Sequence, residues 1–158
     1  MTDTLTPLQA VAEELGLAIE QPMRRDGDHW TSNPSALTIG AYTYNTIDIA
    51  GVKVALSTTD IYIHKGSVYY ADPTERMTDA LVVAAVVVPP SERRKGLAAL
   101  AMKELCAAAS RVGIVLKLEP CPITSQRVKG ERLPTASQLR KFYARFGFVG
   151  GQIMERQP

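Results

Sequence analysis

Residues 80–98 read Ala80-Leu81-Val82-Val83-Ala84-Ala85-Val86-Val87-Val88-Pro89-Pro90-Ser91-Glu92-Arg93-Arg94-Lys95-Gly96-Leu97-Ala98, and this stretch decides the fold. Leu81 to Val88 is continuously apolar and largely β-branched, the composition of a strand covered on both faces. Pro89-Pro90 ends it, because proline has no N–H to give to a ladder. Gly96 then opens a predicted helix, Gly96 to Arg111, with Gly113 as its C-terminal stop. Its few polar interruptions, Lys103, Glu104 and Ser110, imply burial against a sheet. The turn joining strand to helix carries chemistry of its own. The first turn of a helix presents unpaired N–H groups and the positive end of the macrodipole, a ready site for phosphate. Gly96 removes a Cβ from the approach of a bulky anion, and Ala98 keeps the next turn small. Arg93, Arg94 and Lys95 add three cations at the same spot. Strand, basic glycine-containing turn and helix together make a cradle for pyrophosphate. It is neither a P-loop, lacking Gly-Lys-Ser/Thr, nor a dinucleotide fingerprint, having one glycine of three.

Towards the C-terminus, Ile114 to Leu118 reads as another strand. Pro120 to Pro134 holds three prolines, one glycine and four charges, and reads as a long irregular excursion. Thr135 with Gln138 matches a capping box and opens a helix whose apolar face is Leu139, Phe142, Tyr143 and Phe146. Gly147 closes that helix, Phe148 is placed to fold back on it, and a last strand is predicted from Phe148 to Met154. Towards the N-terminus, Leu5, Leu8, Ala12 and Leu15 recur at helical spacing, with Thr4 or Thr6 as N-cap, Pro7 in the first turn and Gly16 as the stop. Gln21 to Ser35, with Pro22, Gly27 and Pro34, reads as a loop. Two hairpins follow: Ile47 and Ile49 turn through Ala50-Gly51 to Val52, Val54 and Leu56, and Ile61 and Ile63 turn through Lys65-Gly66 to Val68 and Tyr70. The C-terminal order of strand, helix, strand, helix, strand predicts an α/β (α+β) fold with a mixed sheet and helices packed against it.

The chain has 158 residues, room for one ordinary domain. With 46% hydrophobic and 22% charged residues and a mean hydropathy of -0.04, it excludes wholesale disorder. The longest apolar run, Ala80 to Pro90, is far short of the roughly 20 residues that span a bilayer. Met1-Thr2-Asp3-Thr4 has no basic region leading into an apolar core, so no secretion signal is expected. Two cysteines make no disulfide framework, and a cytoplasmic location is the expectation. No metal-ligand spacing is present. A net charge of +2 and the lack of an aromatic stacking platform argue against nucleic acid, even with Arg93, Arg94, Lys95, Arg127, Lys129 and Arg132 taken as a patch.

On these residues the chain resembles the GNAT superfamily of N-acetyltransferases. That family's phosphate-binding signature runs Arg or Gln, two residues, Gly, one residue, then Gly or Ala. Arg93, Gly96 and Ala98 fit it, with Val88 and Pro90 as the usual lead-in. Leu139-Arg140-Lys141-Phe142-Tyr143-Ala144-Arg145-Phe146-Gly147-Phe148 looks like the family's later helix, with Phe-Tyr, three residues, then a strand-opening Gly-Phe. The strand Ile114 to Leu118 falls where the family has its fifth. The resemblance covers about half the chain, Ala80 to Met154, within one domain spanning residues 1–158. Residues 1–79 are atypical, since the family's first strand and helix pair are hard to find there.

The resemblance implies an acyl-CoA N-acyltransferase fold, with a mixed, mostly antiparallel central sheet and flanking helices, and transfer of an acetyl group from acetyl-CoA to a primary amine. The pyrophosphate would sit on the amides from Arg93 through Arg94, Lys95, Gly96 and Leu97 to Ala98. The pantetheine arm would pair with the strand edge at Val86, Val87 and Val88, where the family splays this strand from the next. Holding amine and thioester together removes much of the barrier by proximity, and a backbone N–H near Val86 or Val87 can polarise the carbonyl. A tyrosine at the place of Tyr143 commonly protonates the leaving thiolate in this family. The other reading of Tyr143 is a core aromatic on the face of Leu139, Phe142 and Phe146.

The amine must be neutral to attack, so a base or water chain is wanted unless the amine has a low pKa. No acidic residue interrupts Leu81 to Val88, a position some members use, so Glu119 at the strand splay is the first candidate, against a solvated strand-end carboxylate. His64, ending a hairpin strand, is another. Arg127, Lys129 and Arg132 form a basic rim that would favour an acidic acceptor, small molecule or peptide, if it is more than a solvated loop. Cys106 reads as a buried apolar residue, and Cys121 has no paired His to activate it. Trp30 with His29 would line a pocket or pin the loop to the core. Edge strands leave a homodimer open. The competing function is a catalytically silent acyl-CoA-binding sensor or interaction module of the same fold.

Overall fold

The computed structural model describes residues 5–40, 42–71, 77–123, 127 and 129–158. Helix α1 (Pro7–Leu15) begins at Thr6, whose hydroxyl accepts from the Gln9 amide while the Gln9 side chain accepts from the Thr6 amide; Gly16 ends it in the left-handed region. Strands β1 (Met23–Asp26) and β2 (His29–Ser32) pair antiparallel across Gly27 and Asp28, so the segment 21–35 is a hairpin and not the expected loop. All eight strand residues are exposed, leaving no apolar alternation to betray the strands. Trp30 is 63% exposed on this hairpin and pins nothing to the core.

Short β3 (Thr38–Ile39) and β4 (Tyr42–Thr43) pair with each other. The two hairpins expected next are present. β5 (Asn45–Ile49) and β6 (Val52–Thr59) turn through Ala50-Gly51, and β7 (Ile61–His64) and β8 (Ser67–Tyr70) turn through Lys65-Gly66. All four turn residues have positive φ, the geometry of tight two-residue turns that match strand twist. The ion pair of Lys117 with buried Asp60, at 2.7 Å, moors the second hairpin to the main sheet.

The long strand β9 (Met77–Val87) is followed by a 3-10 turn at Pro90–Glu92, helix α2 (Leu97–Val112) and strand β10 (Leu116–Leu118). Helix α3 (Ala136–Ala144) follows, and then β11 (Val149–Gly150) and β12 (Met154–Arg156). The single last strand expected from Phe148 to Met154 is therefore two short antiparallel strands. The main sheet has six strands in the order β11-β12-β10-β9-β6-β5. Only the β9–β10 pair is parallel, so the sheet is mixed and mostly antiparallel, with three helices, an α+β architecture.

One apolar cluster joins Leu8, Val11 and Ala12 of α1 to Met102, Leu105 and Ala109 of α2 and to Val54, Leu81 and Leu116 of the sheet. The many alanines of α2 let its axis approach the strands closely. Phe142, Tyr143 and Phe146 of α3 pack against the same cluster. Thr135 caps α3 by the expected box, Thr135 Oγ1 accepting from the Gln138 amide at 3.1 Å and Gln138 Oε1 from the Thr135 amide at 2.8 Å. Thr135→Ala therefore costs about 1 kcal/mol in urea denaturation, and Thr135→Ser restores most of it. Equal stability of the Ala variant would mean that packing alone holds α3. No helix among the described residues is long and apolar enough to cross a membrane.

Candidate active site

Strand β9 keeps two neighbours for only part of its length. Leu81, Val82 and Val83 pair with Leu116, Lys117 and Leu118 of β10, and there the pairing stops. The chain after β10 reads Glu119-Pro120-Cys121-Pro122, and two prolines in four residues cannot feed a ladder. It turns away, with the Cys121 amide donating to Glu119 O at 2.9 Å. On its other side β9 still pairs with β6 as far as Val87. The result is a cleft whose one wall is the backbone edge of Ala84 to Val88.

A bulge sits at the mouth of this cleft. Ala55 pairs with Ala85 but Leu56 pairs with Val83, so Ala84 is an extra residue on β9. It inverts the alternation of the strand. Leu81 and Val83 face the helix-side cluster, and after the bulge so do Val86 and Val88, while Ala85 and Val87 join Leu37 and Ala55 in a second cluster on the other side. The bulge thus re-aims the backbone groups of the unpaired edge.

The cleft holds a cavity of about 290 Å³. Its wall runs from Val83 to Val88, and Arg94, Glu119, Cys121, Arg132, Leu139 and Tyr143 also line it. Tyr143 comes from α3, where its ring lies edge-on to Phe142 at 5.2 Å and to Phe148 at 5.8 Å. Arg156 holds the end of that helix, donating from Nε to Phe146 O at 2.7 Å and from its guanidinium to Ser110 Oγ at 3.0 Å. Burial pushes the Tyr143 phenol up to about 12, so it is a neutral donor over the whole physiological range. No described residue hydrogen-bonds it.

Glu119 stands opposite, at the point where β10 leaves β9. Burial raises its carboxyl above the ordinary range, and contact with the Cys121 thiol offsets part of that. Burial and the neighbouring Glu119 raise the Cys121 thiol in turn. Tyr70, at the end of β8, is pushed up by burial and then by the Glu119 carboxylate, which places its phenol beside this group. Tyr70 does not itself line the cavity, and sequence reading gave it no role.

At the far end lies the basic turn. Arg94 and Gly96 both have positive φ, 66° and 75°, and α2 starts at Gly96 with no side-chain cap, unlike α1 and α3. A Cβ built at Gly96 would meet nothing within 4 Å, so the approach to the first-turn amides is open. The three cations divide their work. The Arg93 guanidinium donates to Val88 O at 3.0 Å through Nε and is paired with the Glu131 carboxylate. It therefore staples the end of β9 to the 120–134 segment. Lys95 pairs with Glu92 at 3.1 Å on the surface. Arg94 is exposed and lines the cavity.

The expected basic rim is also divided. Arg127 donates to Glu131 O at 3.0 Å, Lys129 is exposed, and Arg132 lines the cavity. Because Glu131 is tied to Arg93, Arg132 lies at the phosphate-cradle end. His64 sits exposed at the end of β7 with its ring edge-on to Tyr69 at 6.1 Å, and it does not line the cavity. Cys106 is buried in α2, its thiol raised to about 11. No cluster of three or more His, Cys, Asp or Glu able to hold a metal occurs among the described residues.

No protein-family model matches the chain, and no curated protein does. Several solved structures are similar to it at low identity, among them the following three. One is the KacTA–DNA complex, 15% identical over 77% of this chain and 65% of that one, with a TM-score of 0.37. Another is an AtaT mutant toxin bound to the C-terminus of the antitoxin AtaR and acetyl-CoA, at 14%, 72%, 66% and 0.37 in the same order. The third is AtaTR bound with acetyl-CoA, at 14%, 73%, 68% and 0.33. The chain spans just under two thirds of the length of the first two.

Proposed function

We propose that this protein is an acetyl-CoA-dependent N-acyltransferase that joins donor and amine acceptor in the β9 cleft. The observation that carries the reading is the unpaired β9 edge, which opens into one cavity bounded by a neutral, partly buried phenol, a carboxylate and an uncapped basic helix start. An extended donor with amide groups along its arm suits such an edge, since it can complete the missing ladder. Its pyrophosphate suits the amides from Arg93 to Ala98, with Arg94 as the side-chain cation at the cavity.

Chemistry then needs three services. The Ala84 to Val88 edge holds the thioester against the amine and supplies an N–H to the developing oxyanion. Glu119, its carboxyl raised by burial, takes the proton that the attacking ammonium group must lose. Tyr143 gives its proton to the departing thiolate. The tetrahedral centre collapses as the C–S bond breaks, leaving an amide and free CoA thiol. Glu119 lines the cavity with Tyr143, Arg94 and Arg132, and its carboxylate suits a cationic primary amine as acceptor.

Calorimetric titration with acetyl-CoA tests the reading. Wild type binds in the micromolar range, and the Arg94→Glu, Gly96→Glu double variant loses about a hundredfold, since two carboxylates then face the pyrophosphate. Gly96→Ala, which adds only backbone strain of about 1 kcal/mol, retains most of the affinity. Well-folded wild type that does not bind acetyl-CoA overturns the proposal. Binding without any release of free thiol across an amine screen would select the silent-sensor reading instead.

A further inference from the structure

The acceptor side of the cleft contains a nucleophile that the proposed amine transfer does not use. Cys121 lies three residues past Leu118, the last residue of β10 paired with β9, and it lines the same cavity as the free β9 edge and Tyr143. It is exposed, whereas the other cysteine, Cys106, is buried. The tight turn at Pro120 sets it beside Glu119, its amide donating to Glu119 O at 2.9 Å. Its Sγ donates to Pro122 O at 3.7 Å, and the Glu119 side chain, two residues before it, lines the same cavity. The Tyr143 phenol, partly buried, lines the same cavity and makes no hydrogen bond to a described residue. Thiol, carboxylate and donor phenol thus converge on the space where a thioester carbonyl would end.

We infer that Cys121 is an acyl acceptor: with no amine in the cleft, bound acetyl-CoA transfers its acetyl group to Cys121 Sγ. The inference rests on the acyl-CoA reading given above and adds a covalent step to it. Glu119 takes the thiol proton as Sγ attacks the acetyl carbonyl carbon. A new S–C bond forms, the bond from that carbon to the CoA sulfur breaks, and its electron pair leaves on the CoA sulfur. That sulfur takes a proton from Tyr143, and the proton held on Glu119 returns to the phenol through solvent. Exchange of one thioester for another needs no oxidant and no further reactant.

The resting thiol is neutral, because burial and Glu119 both disfavour the thiolate. The nucleophile therefore forms when Glu119 removes the proton.

Incubation of the purified protein with acetyl-CoA and no amine, acid quench and intact-mass measurement tests this. One acetyl adduct is expected, removed by neutral hydroxylamine as a thioester would be, and mapped by peptide analysis to Cys121 with Cys106 unmodified. The adduct is absent in Cys121→Ala, whose exposed position spares the fold, and absent in Arg94→Glu, Gly96→Glu, which does not seat the donor. In Glu119→Gln it forms roughly tenfold or more slowly, while acetyl-CoA still binds. Protein that binds acetyl-CoA but gains no adduct at Cys121, or gains only a hydroxylamine-stable lysine adduct, overturns this inference and leaves the acyl-CoA reading standing. Protein that binds no acetyl-CoA overturns both.

Discussion

Tyr143→Phe turns over roughly 10²- to 10⁴-fold more slowly than wild type, while its affinity for acetyl-CoA stays within about twofold. The phenol is the one proton donor that α3 brings into the cavity, and the ring of Phe keeps the edge-on contacts with Phe142 and Phe148. Steady-state rates of thiol release, set beside calorimetric affinity, separate the two quantities. The pH profile carries an independent sign. Tyr143, raised to about 12, stays protonated through neutrality and contributes no basic limb there. Glu119 must be ionised to act, and its raised carboxyl binds a proton at higher pH than an ordinary glutamate. The value of kcat/KM therefore falls as pH drops through that raised value, and Glu119→Gln flattens this limb. A Tyr143→Phe enzyme with unchanged turnover would make Tyr143 a core aromatic only.

Phe148→Ala costs about 3–5 kcal/mol of stability, measured by urea denaturation, and lowers the melting temperature by roughly 10 °C. Phe148 is 1% exposed and among the largest fully buried side chains, so its removal leaves a cavity that the neighbouring sheet and helices cannot fill. The same substitution reaches the site. The Phe148 ring packs edge-on against Tyr143 and its amide donates to Tyr143 O at 3.4 Å, so the phenol loses its backing. Turnover consequently falls further than the folded fraction alone accounts for. Phe148→Leu, which fills most of the volume, keeps both stability and activity near wild type. A loss below about 1 kcal/mol for the Ala variant would mean that the α3–β11 corner repacks freely.

The sequence by itself determined the elements whose signals are local. Leu81 to Val88 announces a strand buried on both faces, and Gly96 and Gly113 bracket α2. Thr135 with Gln138 caps α3, and Ala50-Gly51 and Lys65-Gly66 turn hairpins, while the choice of Thr6 over Thr4 as the cap of α1 came from the structure. Each of these rests on a backbone preference or an apolar period readable within a few residues. The polar hairpin β1–β2 has no such period, and the pair β11–β12 is too short to show one, so both needed the tertiary structure.

The site divides in the same way. Glu119 and Tyr143 were legible as chemical types at the ends of recognisable elements. That they line one cavity follows only from where β10 parts from β9, a consequence of Pro120 and Pro122 acting on a strand pair 35 residues apart in sequence at Leu81 and Leu116. The bulge at Ala84 is equally silent in the sequence, because it is a property of pairing with β6 and not of alanine. Charge was the least legible quantity. Arg93, Arg94 and Lys95 look alike in a row, yet Arg93 lines the cavity bound to Val88 O and Glu131, Lys95 is paired with Glu92 on the surface, and Arg94 lines the cavity as an exposed side chain. Which cation meets a ligand depends on which carboxylates the fold brings near, and only the tertiary structure sets that.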